Sequence, residues 1–120
     1  MSLYDRFRGY DDDEKEVSKL PIWPTITSVA EILSGQLTDV EAIERFNLDA
    51  TEIEEFSEVK SHISSEITSM ETAFRVSGLN ATTATTVSRA VVRNSVTQIL
   101  MRAELGYCTR SEFNTSLGIS

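Results

Sequence analysis

The chain has 120 residues and a formal net charge of −8, and 40% of its residues are hydrophobic and 25% charged. This length fits one domain, and this composition is ordinary for a folded globular protein, so global disorder is not expected. No apolar run approaches the roughly 20 residues that span a bilayer, and the N-terminus lacks a signal-peptide pattern, so we expect no membrane partner and a cytosol-like compartment.

Residues 1–24 are predicted to form an extended N-terminal arm, since Pro21 and Pro24 interrupt any helix through its end. An exposed segment with aromatic side chains needs a surface to cover, either this chain's own helices or another subunit. We interpret four aromatic residues as partner-binding: Tyr4, Phe7, Tyr10 and Trp23. Deleting residues 1–16 is then expected to leave the helical fold intact but to prevent incorporation into a parent complex.

Residues 25–120 are predicted to form a helical domain. Four pairs of residues have the spacing of a capping box, in which a side-chain oxygen precedes a carboxylate by three positions. These pairs are Ser28 with Glu31, Thr38 with Glu41, Asp49 with Glu52, and Thr109 with Glu112. With glycine or asparagine near the expected helix ends, the pattern predicts helices over about 28–34, 38–46, 50–77, 83–105 and 110–117.

The third predicted helix is unusually long, at about 40 Å for 1.5 Å per residue. Its apolar residues recur every three or four positions: Ile53, Phe56, Val59, Ile63, Ile67, Met70 and Phe74. The helices over 50–77 and 83–105 should pack as an antiparallel hairpin, and no strand pattern is convincing. We therefore assign the chain to the all-α class, as a small helical bundle with a helix-turn-helix-like corner, a long hairpin and an N-terminal arm.

The corner, "LTDVEAIERFNLDATEIEEF" at residues 37–56, raises the question of DNA binding. A DNA-reading helix-turn-helix contacts phosphates through basic and polar groups. Residues 38–60 instead carry eight acidic and two basic residues, which would repel a polyanion. We interpret the corner as a packing or protein-contact unit and expect no nucleic-acid partner.

No catalytic motif, metal site or cofactor site is predicted, so we expect a protein that is not an enzyme. His62 is the only histidine and has no second soft ligand nearby in sequence, which favours an ordinary surface histidine. Arg89 and Arg93 lie one helical turn apart and form the best basic pair. Two interpretations stay open for it: bridges to acids such as Glu71, or docking onto the acidic face of a neighbouring subunit.

Charge is divided unevenly along the chain. Residues 1–60 hold 15 acidic and six basic residues, whereas residues 61–120 hold four acidic and five basic ones. An acidic front and a neutral-to-basic back suit head-to-tail assembly in a ring, so we expect several copies in a symmetric assembly.

Two stretches carry a family resemblance, "ILSGQLTDVEAIERFNLDATEIEEF" and "ILMRAELGYCTRSEFNTSLGI". Together they resemble the small all-helical virion proteins encoded among the head and tail genes of tailed bacteriophages. The resemblance implies a structural subunit of the virion, assembled in the bacterial host cytoplasm. Its implied partners are larger virion proteins, such as the portal, connector, tail or capsid, most of all at the head–tail connection. It implies no catalytic residues.

Two other classes of protein remain as alternatives. One is a DNA-binding module such as a small packaging-terminase-like subunit, whose order of elements fits but whose charge does not. The other is a cytosolic adaptor that binds one host protein through the N-terminal arm. A basic face is required for the first, whereas burial of the arm's aromatic residues against another chain is expected for an assembly subunit.

Overall fold

The computed structural model of the chain describes residues 2–7 and 38–120. The described residues are 81% helical and contain no strand, which confirms the all-α class. The helices are α1 (Leu3–Phe7), α2 (Asp39–Phe46), α3 (Ala50–Val76), α4 (Ala81–Glu104) and α5 (Arg110–Leu117). The predicted helix over 28–34, together with Tyr10 and Trp23, lies outside the described residues.

Three of the predicted capping boxes are confirmed, at the starts of α2, α3 and α5. At the start of α3 the Glu52 amide donates to Asp49 Oδ1, and the Asp49 amide donates to Glu52 Oε1, both at 2.9 Å. Each box satisfies two amides that the first helical turn leaves without partners. The fourth predicted box, Ser28 with Glu31, lies outside the described residues.

Helix α4 begins at Ala81, two residues before its predicted start. Asn80 caps it, because the Asn80 side chain accepts a hydrogen bond from the Thr83 amide at 2.8 Å. The threonines that follow are weak helix formers, and this cap offsets their poor propensity at the first turn.

Helices α2 and α3 meet at the predicted corner, which we call the α2–α3 corner. Its turn consists of residues 47–49, and Asn47 has the left-handed conformation expected of a helix end, with φ 51° and ψ 55°. The Asn47 amide donates to the Ile43 carbonyl, so the end of α2 is satisfied locally. The structure therefore shows two helices joined by a three-residue turn, in the order that a helix-turn-helix has.

Helices α3 and α4 form the predicted hairpin, joined by a turn over residues 77–80. The hydrophobic core lies at the end of the hairpin opposite this turn. There, Phe56 and Ile63 of α3 and Leu100 of α4 pack with α1, α2 and α5, and Phe113 of α5 is fully buried at the centre. One end of the long hairpin is therefore embedded in the fold.

The other end of the hairpin extends beyond this core. Between Met70 and Val92 no described residue belongs to the core cluster. Ala84 and Ser88 are buried and small, and Thr85 Oγ1 donates to Glu71 Oε2 at 2.6 Å. Small residues permit close approach of two helices, so within residues 2–7 and 38–120 this part is formed by the packing of α3 against α4.

The prediction of an extended arm over residues 1–24 is wrong for its first residues, because Leu3–Phe7 is helical. Leu3, Tyr4 and Phe7 share one face of this short helix and are all buried. Five residues cannot hold a helix by themselves, so burial of this apolar face against the core stabilises α1. Residues 8–24 lie outside the described residues.

Candidate interaction surfaces

Two of the predicted partner-binding residues belong to the protein's own core. Tyr4 packs edge-on against Phe113 with ring centroids 5.4 Å apart, and Phe7 packs against the same ring at 5.8 Å. The Tyr4 hydroxyl donates to the Cys108 carbonyl at 3.0 Å. The expectation that Tyr4 and Phe7 bind a partner is therefore corrected, because both side chains are less than a tenth exposed in the folded chain.

A buried ion pair between Arg6 and Glu52 was missed from the sequence. Arg6 Nε donates to Glu52 Oε2 and Arg6 Nη2 donates to Glu52 Oε1, both at 2.6 Å. The side chains are 11% and 0% exposed, respectively. A guanidinium that donates two bonds to one carboxylate is the strongest geometry for such a pair, and this one ties α1 to the start of α3.

The register of α3 could have revealed this pair. The predicted apolar stripe began at Ile53, but Ile53 is 36% exposed and Glu52 is fully buried instead. The buried positions Phe56, Val59 and Ile63 continue backwards at helical spacing to residue 52. A carboxylate at a core-facing position indicates a buried cation, although the spacing alone does not say which arginine supplies it.

Three further polar contacts hold α1 in place. The Leu3 amide donates to Glu55 Oε1 at 2.8 Å. Arg110 Nη2 donates to Asp5 Oδ2 at 2.6 Å and to Ser2 Oγ at 2.7 Å. These contacts join α1 to both α3 and α5, so the start of the described chain is an integral part of the domain.

Two carboxyl groups, one in these contacts and one in the capping box of α5, have shifted pKa values. Burial raises the pKa of Glu55 above its ordinary value, although the hydrogen bond from the Leu3 amide and the charge of Arg110 oppose the rise. Hydrogen bonds from the Thr109 backbone and side chain lower the pKa of Glu112, whose carboxylate completes the capping box of α5. Glu55 therefore helps to hold α1 against α3, and Glu112 caps α5.

The predicted basic pair, Arg89 and Arg93, lies on α4 between the hairpin turn and the middle of the helix. Arg89 is exposed and Arg93 is half-buried. Glu71, one of the acids considered as their partner, accepts the hydrogen bond from Thr85. Arg75 adds a third positive charge near the end of α3 and is exposed. The exposed charges next to the hairpin turn, those of Arg75 and Arg89, are therefore positive.

Exposed aliphatic side chains occur at both ends of α3. At the hairpin turn, Val76 is 83% exposed and Leu79 is 37% exposed. At the α2–α3 corner, Val40 is 64% exposed and Ile53 is 36% exposed. The two places differ in charge, because Glu44 and Glu54 are exposed at the corner, where Lys60 is paired with Asp39, whereas Arg75 is exposed beside the turn.

A groove of about 290 Å³ runs between α3, α4 and the end of α5. Its lining is mainly apolar and includes Met70, Val96, Ile99 and Leu117. His62 lies at its edge, half-buried, with Nε2 3.4 Å from Glu66 Oε1. His62 therefore contacts an acidic residue one turn further along the same helix.

Metal sites and membrane spans were sought in the described residues. Within residues 2–7 and 38–120, no group of three or more histidine, cysteine, aspartate or glutamate side chains is arranged to hold a metal ion. In the same part of the chain, no helix is long and apolar enough to cross a membrane.

The fold and its surfaces define a small all-α protein built around a long helical hairpin, with one end in the core and the other exposed. Comparisons with protein-family models, with curated proteins and with solved structures found no match for this chain.

Proposed function

We propose that the protein is a non-enzymatic structural subunit of a bacteriophage virion that docks onto larger virion proteins, most of all at the head–tail connection. The observation that carries the proposal is the exposed half of the α3–α4 hairpin. It extends beyond the described core, carries the exposed Arg75 and Arg89 next to its turn, and ends in exposed aliphatic side chains. Such a surface is suited to a protein partner, since exposed apolar patches with a polar rim are typical of contact sites.

The docking role also fits the position of the predicted basic pair. Arg89 is exposed on the hairpin, where its guanidinium is accessible to an acidic partner, and Arg93 lies one helical turn away and is half-buried. Arginine is well suited to such contacts because its guanidinium binds carboxylates through two bonds. Larger virion proteins arranged in rings would present the same acidic site several times, which favours several bound copies.

The proposal is tested by deleting the gene from the phage that encodes the chain. We expect mass spectrometry to find the protein in purified wild-type virions, and electron microscopy of the deletion to show heads and tails that are not joined. Supplying the intact gene from a plasmid should restore joined particles. Absence of the protein from purified virions, or normal joined particles after deletion, would contradict the proposal.

A DNA-binding role is the second candidate, because the α2–α3 corner has the order of elements of a helix-turn-helix, with two helices joined by a short turn. The acidic residues at the start of α3 argue against it, since Glu54 is exposed and Glu58 half-exposed where a recognition helix would face phosphates. A retardation assay at low salt separates the two candidates. Salt-sensitive binding to DNA would favour the packaging role over the structural one.

A further inference from the structure

We propose that the hairpin tip of one copy docks onto the α2–α3 corner of a second copy, so that copies join head to tail. The hairpin tip is defined by Arg75, Val76, Leu79 and Arg89. The contact face of the corner is defined by Val40, Glu44, Ile53 and Glu54. This inference rests on the proposed function, because it names a second copy of the chain as one partner of the exposed hairpin.

The apolar parts of the two surfaces match in kind and in number. Val76 and Leu79 are exposed at the tip, and Val40 and Ile53 are exposed at the corner. Each pair leaves aliphatic surface in water, and burial of one pair against the other removes both from solvent. Burial is favourable at about 25 cal/mol per Å² of apolar surface.

The charges around these apolar pairs are complementary. Arg75 and Arg89 are exposed at and near the tip, whereas Glu44 and Glu54 are exposed at the corner. Within residues 2–7 and 38–120, neither arginine lies in an ion pair. Contact of a tip with a corner brings opposite charges together, whereas contact between two tips or two corners brings like charges together.

The geometry requires that the two surfaces meet between copies rather than within one. The corner lies at the beginning of α3 and the tip at its end, separated by 27 helical residues. This helix is about 40 Å long at 1.5 Å per residue. One copy cannot bring its own tip to its own corner, so the contact is heterologous. Heterologous contacts build a ring when the rotation between copies closes, and an open filament when it does not.

The interface is small, so a single contact is expected to be weak. Two aliphatic side chains on each partner cover less surface than a standard stable interface. We therefore expect a dissociation constant in the micromolar to millimolar range for one contact in free solution. Binding of several copies to one larger ring would strengthen it through high effective concentration.

The experiment uses two variants of the full chain, each with one disabled surface. The tip variant is Val76→Asp with Leu79→Asp, and the corner variant is Val40→Asp with Ile53→Asp. Circular dichroism verifies that each variant is folded, and Val40→Asp alone replaces the corner variant if the double change unfolds it. The matched control is Val91→Asp, because Val91 is 39% exposed but lies outside both surfaces.

Light scattering and sedimentation over rising concentration, up to about 1 mM, give the result. We expect the wild-type protein and the Val91→Asp control to exceed the monomer mass of 13.4 kDa, increasingly at low salt. Each variant alone should stay monomeric, with association weakened about tenfold or more. An equal mixture of the two variants should form dimers and nothing larger, because one intact tip and one intact corner remain.

The inference is overturned if the wild-type protein stays monomeric at every protein and salt concentration. It is also overturned if the equal mixture of the two variants stays monomeric, or if the tip variant alone still assembles. These results are distinct from failure of the proposed function. A chain that is monomeric alone but present in virions would remove only the head-to-tail contact, whereas a chain that assembles but is absent from virions would remove only the virion role.

Discussion

Replacing Arg6 by leucine should destabilise the protein strongly, because it leaves the Glu52 carboxylate buried without its cation. The expected loss in the free energy of unfolding follows from how deeply this ion pair is buried. Glu52 is fully shielded from water, and the two bonds it accepts from Arg6 are both 2.6 Å long. Breaking a buried ion pair by removing one partner costs about 3–5 kcal/mol, whereas an exposed pair contributes about 0–1 kcal/mol. Leucine keeps part of the aliphatic side chain of arginine, so most of the decrease in the free energy of unfolding is due to the missing charge.

The assay is unfolding in urea followed by circular dichroism. For a protein of this size the free energy of unfolding falls by about 1–2 kcal/mol per molar urea, so the midpoint of the Arg6→Leu variant should shift by roughly 2 M or more. The matched control is Lys60→Leu, because Lys60 pairs with Asp39 and the two side chains are 27% and 55% exposed. Its midpoint should move by less than about 1 M.

A loss below about 1 kcal/mol for Arg6→Leu, equal to that of the control, would refute the reasoning. It would mean that water reaches Glu52 and that α1 is not docked in solution. Replacing Arg6 and Glu52 together by methionine separates the causes further. The double variant should recover much of the loss, because no charge is then left buried without a partner.

The remaining predictions concern a glycine and two carboxyl groups. Gly118 has φ +78°, and a Cβ added there would lie 2.5 Å from the Cβ of His62. We expect Gly118→Ala to lower the free energy of unfolding by roughly 2–4 kcal/mol, measured in urea, because backbone strain and steric overlap with His62 add. Gly78→Ala is the control: at φ +106° its Cβ would meet no other atom, so only the backbone strain remains and the loss should be about 1–2 kcal/mol. A carboxyl titration by nuclear magnetic resonance should place the pKa of Glu55 above its ordinary value and that of Glu112 below it. The stabilisation from Glu112 should be present above its unfolded-state pKa and lost as the pH falls through its lowered, folded-state pKa. Glu55 should instead lower the stability as the pH rises through its raised, folded-state pKa, because the folded protein then has to hold a buried charge. A pKa of Glu55 at or below the ordinary value, or of Glu112 at or above it, would contradict the corresponding assignment.

Among the described residues, the helix boundaries were largely predictable from the sequence. Capping boxes at Thr38, Asp49 and Thr109 are confirmed because both partners lie within one helical turn, so no distant contact is needed to form them. The left-handed turn at Asn47 is local in the same sense. The hairpin was also predictable, since two long helices with a short turn have little choice but to pack side by side.

The exposed surfaces were only partly predictable. The division of charge between the two halves of the chain can be counted from the sequence, and the one-turn spacing of Arg89 and Arg93 marks them as a basic pair whose docking role stays a prediction. Which aliphatic residues stay exposed could not be counted in this way. Ile53 belonged to an apparent apolar stripe, yet it is exposed because the helix turns Glu52 inward to meet Arg6.

The sequence by itself determined where α2, α3 and α5 begin, because their capping boxes depend on residues only three positions apart. Only the tertiary structure decided that the chain's beginning belongs to the core. The contacts responsible join Tyr4 to Cys108 and Phe113, and Arg6 to Glu52, across 46 to more than 100 residues. Helix α1 is too short to form without them, and the physical reason is that burial of its apolar face and its charge pair replaces the helix stability that five residues lack.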